Sequence, residues 1–297
     1  MDRVVHWISA VWFRLSLTLE AVGRWTNTLA VRYRRRAGRI FAGTQNERLY
    51  LDRNRDLLGC HRDSACVIIG SGPTLANVDL AHLSSFVTIS VNETFIYLRD
   101  HGGRADYHVL IDQDYFSGAP RMDDMLRDIG TFAKQTGGTL ILDAAGLVAL
   151  RDRRLVGDLP IHGLRQVGRL GDYAAAGVTP SLKLDDAVPE FAVVTQAAIA
   201  VALAMGCPQI YLVGHDFDYY RDLDQPTPHV YGHSLYYDDH PSPLESHGGD
   251  FHALMATNTD RISGFALLNR IAQNQNQKIF NTSPQSALHV FRYRPLP

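Results

Sequence analysis

A glycine turn directly after an apolar run is the first feature of the sequence that could bind a ligand. The run at 67–69 is followed by Gly70, Ser71, Gly72, Pro73 and Thr74. Glycine accepts positive φ, and its missing side chain lets a phosphate or a ribose approach the backbone. The Lys-Ser/Thr of a Walker loop is missing, and so is the third glycine of a dinucleotide fingerprint. The turn therefore predicts a nucleotide cradle of another type, or else a tight turn without a ligand.

Two polar residues follow the next apolar runs along the chain. Asn92 follows the run at 87–91, and Asp112 follows the run at 107–111. Ligands of open α/β sheets bind beyond the carboxyl ends of the strands. Either residue alone could simply cap a loop. Together with the glycine turn they predict a nucleotide-binding edge.

A further apolar run, at 209–213, ends in Gly214 and leads to two carboxylates, Asp216 and Asp218. Carboxylates two residues apart can hold Mg²⁺ against phosphates. They can equally cap a helix or a turn, and this is the role that we expect for Asp216.

The stretch 219–253 that comes next has no usable periodicity, and its length is typical of a lid or a binding loop. It contains His229, His233, His240, His247 and His252. These histidines include no tight His-x-x-x-His pair on a helix and no cysteine partner of the kind that a zinc site uses, so no metal is expected. A general-base histidine on this loop is the better interpretation.

The elements that must position these residues alternate regularly. Short runs rich in β-branched and aromatic residues predict buried strands at 66–69, 87–91, 107–111, 139–142 and 209–213. Amphipathic or apolar stretches at 122–135 and 195–205 predict helices between strands. This alternation predicts an α/β fold, namely a Rossmann-like, doubly wound and mostly parallel sheet with a long lid loop. It also predicts one catalytic domain over 46–297.

Composition excludes several classes of protein. The chain has 297 residues, 45% hydrophobic and 20% charged, which is typical of a globular protein. Lys and Arg number 29 against 31 Asp and Glu, so a nucleic-acid binder is not expected. Three cysteines are too few and too odd in number for a disulfide framework, which predicts a cytoplasmic protein.

The segment 1–45 differs from the rest of the chain. Residues 1–40 hold eight arginines against Asp2 and Glu20, a charge of +6 that leaves −8 on the remainder. Apolar residues at helical spacing predict an amphipathic helix, too interrupted by charge to span a membrane. It packs on the protein's own core, or it lies on the inner face of the cytoplasmic membrane with its arginines at anionic lipid.

Four segments in this order resemble the bacterial CMP-sialic-acid-dependent sialyltransferases of glycosyltransferase family 42. They are 67–75 (VIIGSGPTL), 195–217 (TQAAIAVALAMGCPQIYLVGHDF), Asn258-Thr259-Asp260 and 278–286 (KIFNTSPQS). The chain is also similar to the broader family of MptE-like 6-hydroxymethylpterin pyrophosphokinases, whose members include flagellin-modifying glycosyltransferases. The resemblance covers residue 60 to the end and implies a GT-A-like nucleotide-binding domain.

The resemblance implies roles for particular residues of the donor site. The turn 70–74 would hold the CMP part of the donor, with Ser71 where the family has Asn. Asn92 matches a family asparagine, whereas Asp112 replaces one. Thr195 and Gln196 stand loosely where the family has Thr-Ser at the start of a long helix.

The resemblance also implies the catalytic groups. Tyrosines of the lid touch the leaving phosphate in the family, and Tyr219 or Tyr220 and Tyr231 occupy the corresponding region. The family's base is a histidine between Gly and Ser, which His233 reproduces. An insertion after this tripeptide leaves His252 as a rival base.

The leading hypothesis is a metal-independent glycosyltransferase that needs no cofactor and uses a CMP-activated acidic sugar, a nonulosonate or Kdo. Its acceptor would be a glycan, a glycolipid or a protein of the cell envelope, reached from the inner membrane face; assembly into a homo-oligomer stays open. The alternative is an ATP- and Mg²⁺-dependent pyrophosphokinase whose ion is held by Asp112, Asp114, Asp216 and Asp218. The third hypothesis is a non-catalytic nucleotide-binding scaffold.

Overall fold

A computed structural model of the chain describes residues 45–217, 223–226, 228–232, 234, 236 and 241–297. The amphipathic helix predicted within residues 1–40, together with its membrane contact, lies outside these residues. Within the described part of the chain, no helix is both long and apolar enough to cross a membrane.

Ten strands of the described chain form two parallel sheets. They are β1 (Cys66–Ile69), β2 (Val87–Val91), β3 (Tyr107–Leu110), β4 (Thr139–Asp143), β5 (Ile161–Leu164), β6 (Gln166–Arg169), β7 (Val188–Glu190), β8 (Gln209–Val213), β9 (Lys278–Asn281) and β10 (Arg292–Tyr293). Eight of them form the main sheet in the order β10-β9-β8-β1-β2-β3-β4-β5, and β6 pairs with β7. All pairs are parallel.

Helices cover both faces of the main sheet. They are α1 (Gln45–Arg53), α2 (Thr94–Asp100), α3 (Pro120–Thr136), α4 (Ala144–Arg153), α5 (Leu170–Ala175), α6 (Val194–Ala204) and α7 (Phe251–Asn274). Successive side chains of a strand point to opposite faces. Ile68 therefore shares a core with α6 and α7, whereas Val67 shares one with α2, α3 and α4. The predicted doubly wound, parallel α/β sheet is confirmed.

The predicted strands and helices agree best with the structure where an element is a continuous run of apolar residues. The strands predicted at 66–69, 87–91 and 209–213 have their predicted bounds, and α6 begins one residue earlier than predicted. The sequence did not indicate α7, whose first turn is capped by Asp250: its carboxylate accepts from the N–H groups of His252 and Ala253. The irregular stretch thus ends at Asp250, three residues earlier than expected.

Asn54, just after α1, ties this end of the chain to the sheet. Its side chain is fully buried. Its Nδ2 donates to the carbonyl of Gly163 at 2.7 Å and to that of Leu184 at 2.6 Å, while Oδ1 lies 3.1 Å from Nδ1 of His162. One amide therefore satisfies the backbone of the edge strand β5 and of a loop beneath it.

We predict that Asn54→Ala lowers the free energy of unfolding by about 2–3 kcal/mol, because it leaves buried polar groups unpaired. Urea denaturation followed by circular dichroism measures the change. The control is Asp52→Ala, which removes an ion pair to Arg55 from a side chain that is 61% exposed and costs about 0.5 kcal/mol or less. Equal effects of the two substitutions would contradict the structural role of Asn54.

Candidate functional site

A cavity of about 740 Å³ opens at the carboxyl edge of the main sheet. It lies where the strand order reverses, with β2 on one side of β1 and β8 on the other. Open α/β sheets bind their ligands at this position. Of the residues singled out from the sequence, those that line the cavity are Gly70, Ser71, Gly72, Pro73, Asn92, Asp112, Thr195, Gly214, Asp216 and His229.

The loops that follow β1 and β8 interlock beneath this cavity. The amide of Gly70 donates to the carbonyl of Val213, and that of Gly72 to the carbonyl of Gly214, both at 2.8 Å. A Cβ at Gly72 would lie 2.5 Å from Oδ2 of Asp216, and one at Gly214 would lie 2.6 Å from the carbonyl of Gly70. Gly214 also has a φ of +67°. The packing of the two loops thus requires these glycines.

Asp216 satisfies the amide that follows the glycine turn. Its Oδ2 accepts from the backbone N–H of Thr74 at 3.0 Å, and its Oδ1 accepts from the Thr74 hydroxyl. It thereby caps the short 3₁₀ helix Pro73–Asn77, the role expected of it from the sequence. Thr74 itself does not line the cavity. The protein therefore supplies its own negative charge at this turn.

Asn92 has a backbone conformation that is unusual for a residue with a side chain. Its φ is +47°, in the left-handed region, directly after β2. Its Oδ1 is buried, and no residue that the structure describes donates a hydrogen bond to it. Such strain and such an orphaned acceptor are typical of sites where a ligand completes the hydrogen bonding.

Thr195 and His215 form the base of the cavity. Nε2 of His215 donates to the carbonyl of Ile68 at 3.2 Å, because a carbonyl can only accept. Nδ1 of His215 is therefore the acceptor for the Thr195 hydroxyl, also at 3.2 Å. Burial lowers the pKa of His215 to about 4, so the ring is neutral at neutral pH. The histidine follows Gly214 directly, yet sequence reasoning missed it.

Gln196 supports the wall of the cavity from behind. Its buried side chain accepts from the N–H of Ala192 at 3.0 Å and donates to the carbonyl of Arg261, on α7, at 2.8 Å. Arg261 is the one Lys or Arg among the described residues that line the cavity, and it donates to Oδ1 of Asn258 at 3.2 Å. It follows Asn258-Thr259-Asp260 directly, a signal in the sequence that could have found it.

The far wall of the cavity is acidic and contains Asp112, Asp143 and Glu190. Asp143 is buried at the end of β4 and accepts from Nε2 of Gln166 at 2.8 Å. Oε1 of Gln166 in turn accepts from the N–H of Phe191 at 3.0 Å. Gln166 lies on β6 and Glu190 on β7, and neither strand is a continuous apolar run of the kind that predicted the other strands.

Among the described residues of the long loop, the histidine that lines the cavity is His229. Its Nδ1 lies 3.0 Å from Oγ of Ser71, and the next amide, that of Val230, donates to the Ser71 carbonyl at 2.7 Å. The ring of Tyr231 stacks on His229 at 5.1 Å without lining the cavity. His252 is exposed at the start of α7, away from the cavity.

Tyr219, Tyr220 and His233 lie outside the described residues. In the part of the chain that is described, no three His, Cys, Asp or Glu side chains are grouped so that they could hold a metal ion.

No protein-family model matches the chain, and no curated protein matches it significantly. Among solved structures, it is similar to that of the MAf glycosyltransferase from Magnetospirillum magneticum AMB-1, with 19% sequence identity and a TM-score of 0.44. The likeness covers 86% of this chain and 38% of that one, so this chain spans well under half the length of that protein.

We predict that the free energy of unfolding falls as the pH decreases from about 6.5 to about 4. Native His215 stays neutral in this range while the unfolded chain takes up a proton near the ordinary pKa of 6.5. Each unit of difference is worth about 1.4 kcal/mol, and stability lost in this way is fully present above pH 6.5. Chemical denaturation across this range measures it.

His215→Gln should flatten this pH dependence in part, because buried His108, whose pKa burial also lowers to about 4, still contributes. The control is His252→Gln at an exposed position, which should leave the slope unchanged. An unchanged slope in His215→Gln would mean that His215 is not neutral in the native protein.

Proposed function

We propose that this chain is a metal-independent glycosyltransferase whose donor is a CMP-activated acidic sugar, a nonulosonate or Kdo. The observation that carries the proposal is that Ser71, Asn92, Thr195 and Asp216, which come from three separate segments, line one cavity. The resemblance to the sialyltransferases rests on two of these segments, 67–75 and 195–217, and it assigns a donor-binding role to Asn92 in the third. The acceptor in this proposal is a glycan, a glycolipid or a protein of the cell envelope.

The nucleoside is proposed to bind between the glycine turn and Asn92. The missing side chains at Gly70 and Gly72 let a ribose approach the backbone. The orphaned Oδ1 of Asn92 can accept a hydrogen bond from an amino group of the base or from a ribose hydroxyl. Such a bond would remove the cost of burying an unpaired acceptor.

The anionic part of the donor is proposed to bind near Arg261. A guanidinium group can form bidentate hydrogen bonds to a phosphate or a carboxylate group. Four carboxylates line the same cavity, those of Asp112, Asp143, Glu190 and Asp216. A donor with one phosphate brings less negative charge toward them than a triphosphate does.

Transfer requires that the acceptor oxygen attack the anomeric carbon while the bond from that carbon to the phosphate oxygen breaks and CMP leaves. We propose His233 as the base that takes the acceptor proton, with His252 as the rival. Hydroxyls of Tyr219 or Tyr220 and of Tyr231 would donate to the phosphate as its charge develops.

The second candidate function is the ATP- and Mg²⁺-dependent pyrophosphokinase. It is favoured by one observation, that Asp112 and Asp216 line the same cavity. Against it, Asp216 is engaged by Thr74, and Oδ1 of Asp112 accepts from the N–H of Asp114 at 3.1 Å. Asp114 is exposed and does not line the cavity.

We predict that CMP binds without a divalent ion and stabilises the protein. At 100 times its dissociation constant the ligand should add about 2.7 kcal/mol of stability, visible as a raised melting temperature. The measurement is a thermal-shift screen with CMP, CDP, UDP and ATP, each with and without Mg²⁺. Stabilisation by Mg²⁺-ATP alone would favour the pyrophosphokinase and contradict the transferase.

Asn92→Gly should weaken CMP binding about tenfold, which corresponds to the net worth of one hydrogen bond. Glycine accepts the φ of +47° without strain, so the fold should be retained. The matched control, Asn77→Ala, changes an exposed asparagine outside the cavity and should bind CMP normally.

We predict that His233→Ala lowers the turnover about 100-fold or more while donor affinity stays nearly unchanged, because the base acts on the acceptor. The measurement is release of CMP from a CMP-nonulosonate, with water or a glycan as acceptor. His252→Ala is the internal control. If only His252→Ala abolishes transfer, His252 is the base; if neither histidine matters, the proposed chemistry is wrong.

A further inference from the structure

A groove runs along α7, and none of its described lining residues lines the cavity of the proposed donor site. It consists of two adjoining hollows of about 810 and 550 Å³, which share Asn269 and Gln273 as lining residues. The first hollow lies between α5 and α7, and the second lies between the end of α7 and strands β9 and β10. Since α7 lines the groove from Ala256 to Gln273 and rises about 1.5 Å per residue, the groove is about 25 Å long.

The residues of both helices explain why this surface is hollow. Small side chains line the first hollow: Gly171, Ala174, Ala175, Ala256, Ser263 and Ala266. Those of α7 lie on one face of the helix, because their spacing follows the helical repeat. Asn269 fixes the wall of the groove near β10, since its Nδ2 donates to the carbonyl of Val290 at 2.9 Å. The shape of the groove thus follows from these small side chains and from this hydrogen bond.

The charges of the groove are opposite to those of the donor cavity. Four exposed basic side chains line it: Arg270, Lys278, Arg292 and Arg294. None of the four forms an ion pair with a carboxylate of the described residues. The one carboxylate among the described lining residues belongs to Asp260, which is paired with Arg169 at 3.2 Å. Because residues 41–297 carry a charge of −8, this positive charge is a local feature that favours an anionic ligand.

The groove also offers groups that suit sugars. Ser263 and Gln273 present a hydroxyl and an amide, which can donate to and accept from sugar hydroxyls. The ring of Tyr293, on β10, is 50% exposed at the far end of the groove, where it can stack against the apolar face of a sugar ring. Arg294 is held in place, with its Cζ 5.0 Å from the centre of the Phe280 ring.

We propose that this groove binds an acidic glycan, an extended sugar chain that carries carboxylate or phosphate groups. Its length and concave shape fit one extended chain, whereas a membrane surface requires a flat or convex face. The amide, hydroxyl and aromatic groups favour sugars over an acidic peptide. Asp260 lines the groove and its neighbour Arg261 lines the donor cavity, so the bound chain lies within reach of the donor. The proposal deepens the proposed function, in which this glycan is the acceptor, and rests on it only for the kinetic measurement.

Binding of an oligogalacturonate long enough to span the groove tests the proposal, with a neutral malto-oligosaccharide of equal length for comparison. In calorimetric titrations we expect the full chain to bind the acidic oligosaccharide and not the neutral one. The double variant Arg270→Gln with Arg292→Gln should weaken this binding about tenfold, which two exposed ion pairs can contribute together. Added salt should lower the affinity of the wild type more steeply than that of the variant, because exposed charges are screened.

The matched control is the double variant Arg48→Gln with Arg104→Gln. Both arginines are exposed, and neither lines the groove or the donor cavity. The control has the same net charge as the groove variant, and the basic residues 1–40 are identical in both. The control should bind the oligogalacturonate as the wild type does. Equal weakening in the two double variants would mean that only the overall charge matters, which would overturn the proposal.

Tyr293→Ala separates a glycan from other polyanions. The loss of ring stacking should weaken oligogalacturonate binding about three- to tenfold and leave the binding of polyglutamate unchanged. Tighter binding of polyglutamate than of oligogalacturonate in the groove would assign it to an acidic peptide. Vesicles of anionic lipid that pellet the wild type but not Arg270→Gln with Arg292→Gln would assign it to a membrane. Either result would overturn the glycan proposal.

The kinetic measurement distinguishes a failure of this proposal from a failure of the proposed function. With a CMP-nonulosonate as donor and an acidic envelope glycan as acceptor, Arg270→Gln with Arg292→Gln should raise the KM for the acceptor about tenfold, while release of CMP to water stays unchanged. An unchanged KM would contradict the role of the groove. If no CMP-sugar is turned over but oligogalacturonate binding still depends on these arginines, the transferase assignment fails and the glycan-binding groove remains.

Discussion

The crossing of the two loops after β1 and β8 is the constraint on which the whole site depends. Gly70 and Gly72 donate to carbonyls of the other loop, and Asp216 reaches back to cap Thr74. No side chain fits at Gly72 or Gly214. β1 and β8 lie in the middle of the sheet, where the strand order reverses. The contact between their loops therefore forms the bottom of the cavity and fixes where the other lining residues can lie.

The same crossing sets the electrostatics of the site. In many nucleotide-binding folds the amides after the glycine turn bind a phosphate. Here the carboxylate of Asp216 takes the Thr74 amide, so Arg261 is left as the cation among the described residues of the cavity wall. Because Asp112, Asp143 and Glu190 line the far wall and Arg261 lies on α7, the charges favour a ligand of low negative charge whose anionic group points toward α7.

Buried groups without an opposite charge surround the cavity. His215 is neutral at its base, and Glu93 lies beside it with a pKa raised by burial. Asn92 adds a strained backbone and an unpaired oxygen. Each of these costs stability, and such costs concentrate where a protein must bind or react. They mark the same edge of the sheet that the lining residues define.

The strands and the glycine turn could be predicted because their causes are local. A strand buried on both faces is a continuous apolar run in the sequence. The glycines of the turn that follows it can also be read from the sequence, without knowledge of the rest of the chain. This is why β1, β2 and β8 have their predicted bounds, and why Asn92 and Asp216 could be placed at one edge. Strands β6 and β7 left no such pattern, so Gln166 and Glu190 were missed.

By itself, the sequence thus determined the sheet, the edge where a ligand would bind and several residues of that edge. Only the tertiary structure decided which turn Asp216 caps, that Arg261 enters the cavity from α7 and that His229 lines it. These contacts join residues more than 100 positions apart, and no local pattern encodes which distant side chain fills a given space; packing of the whole chain selects it.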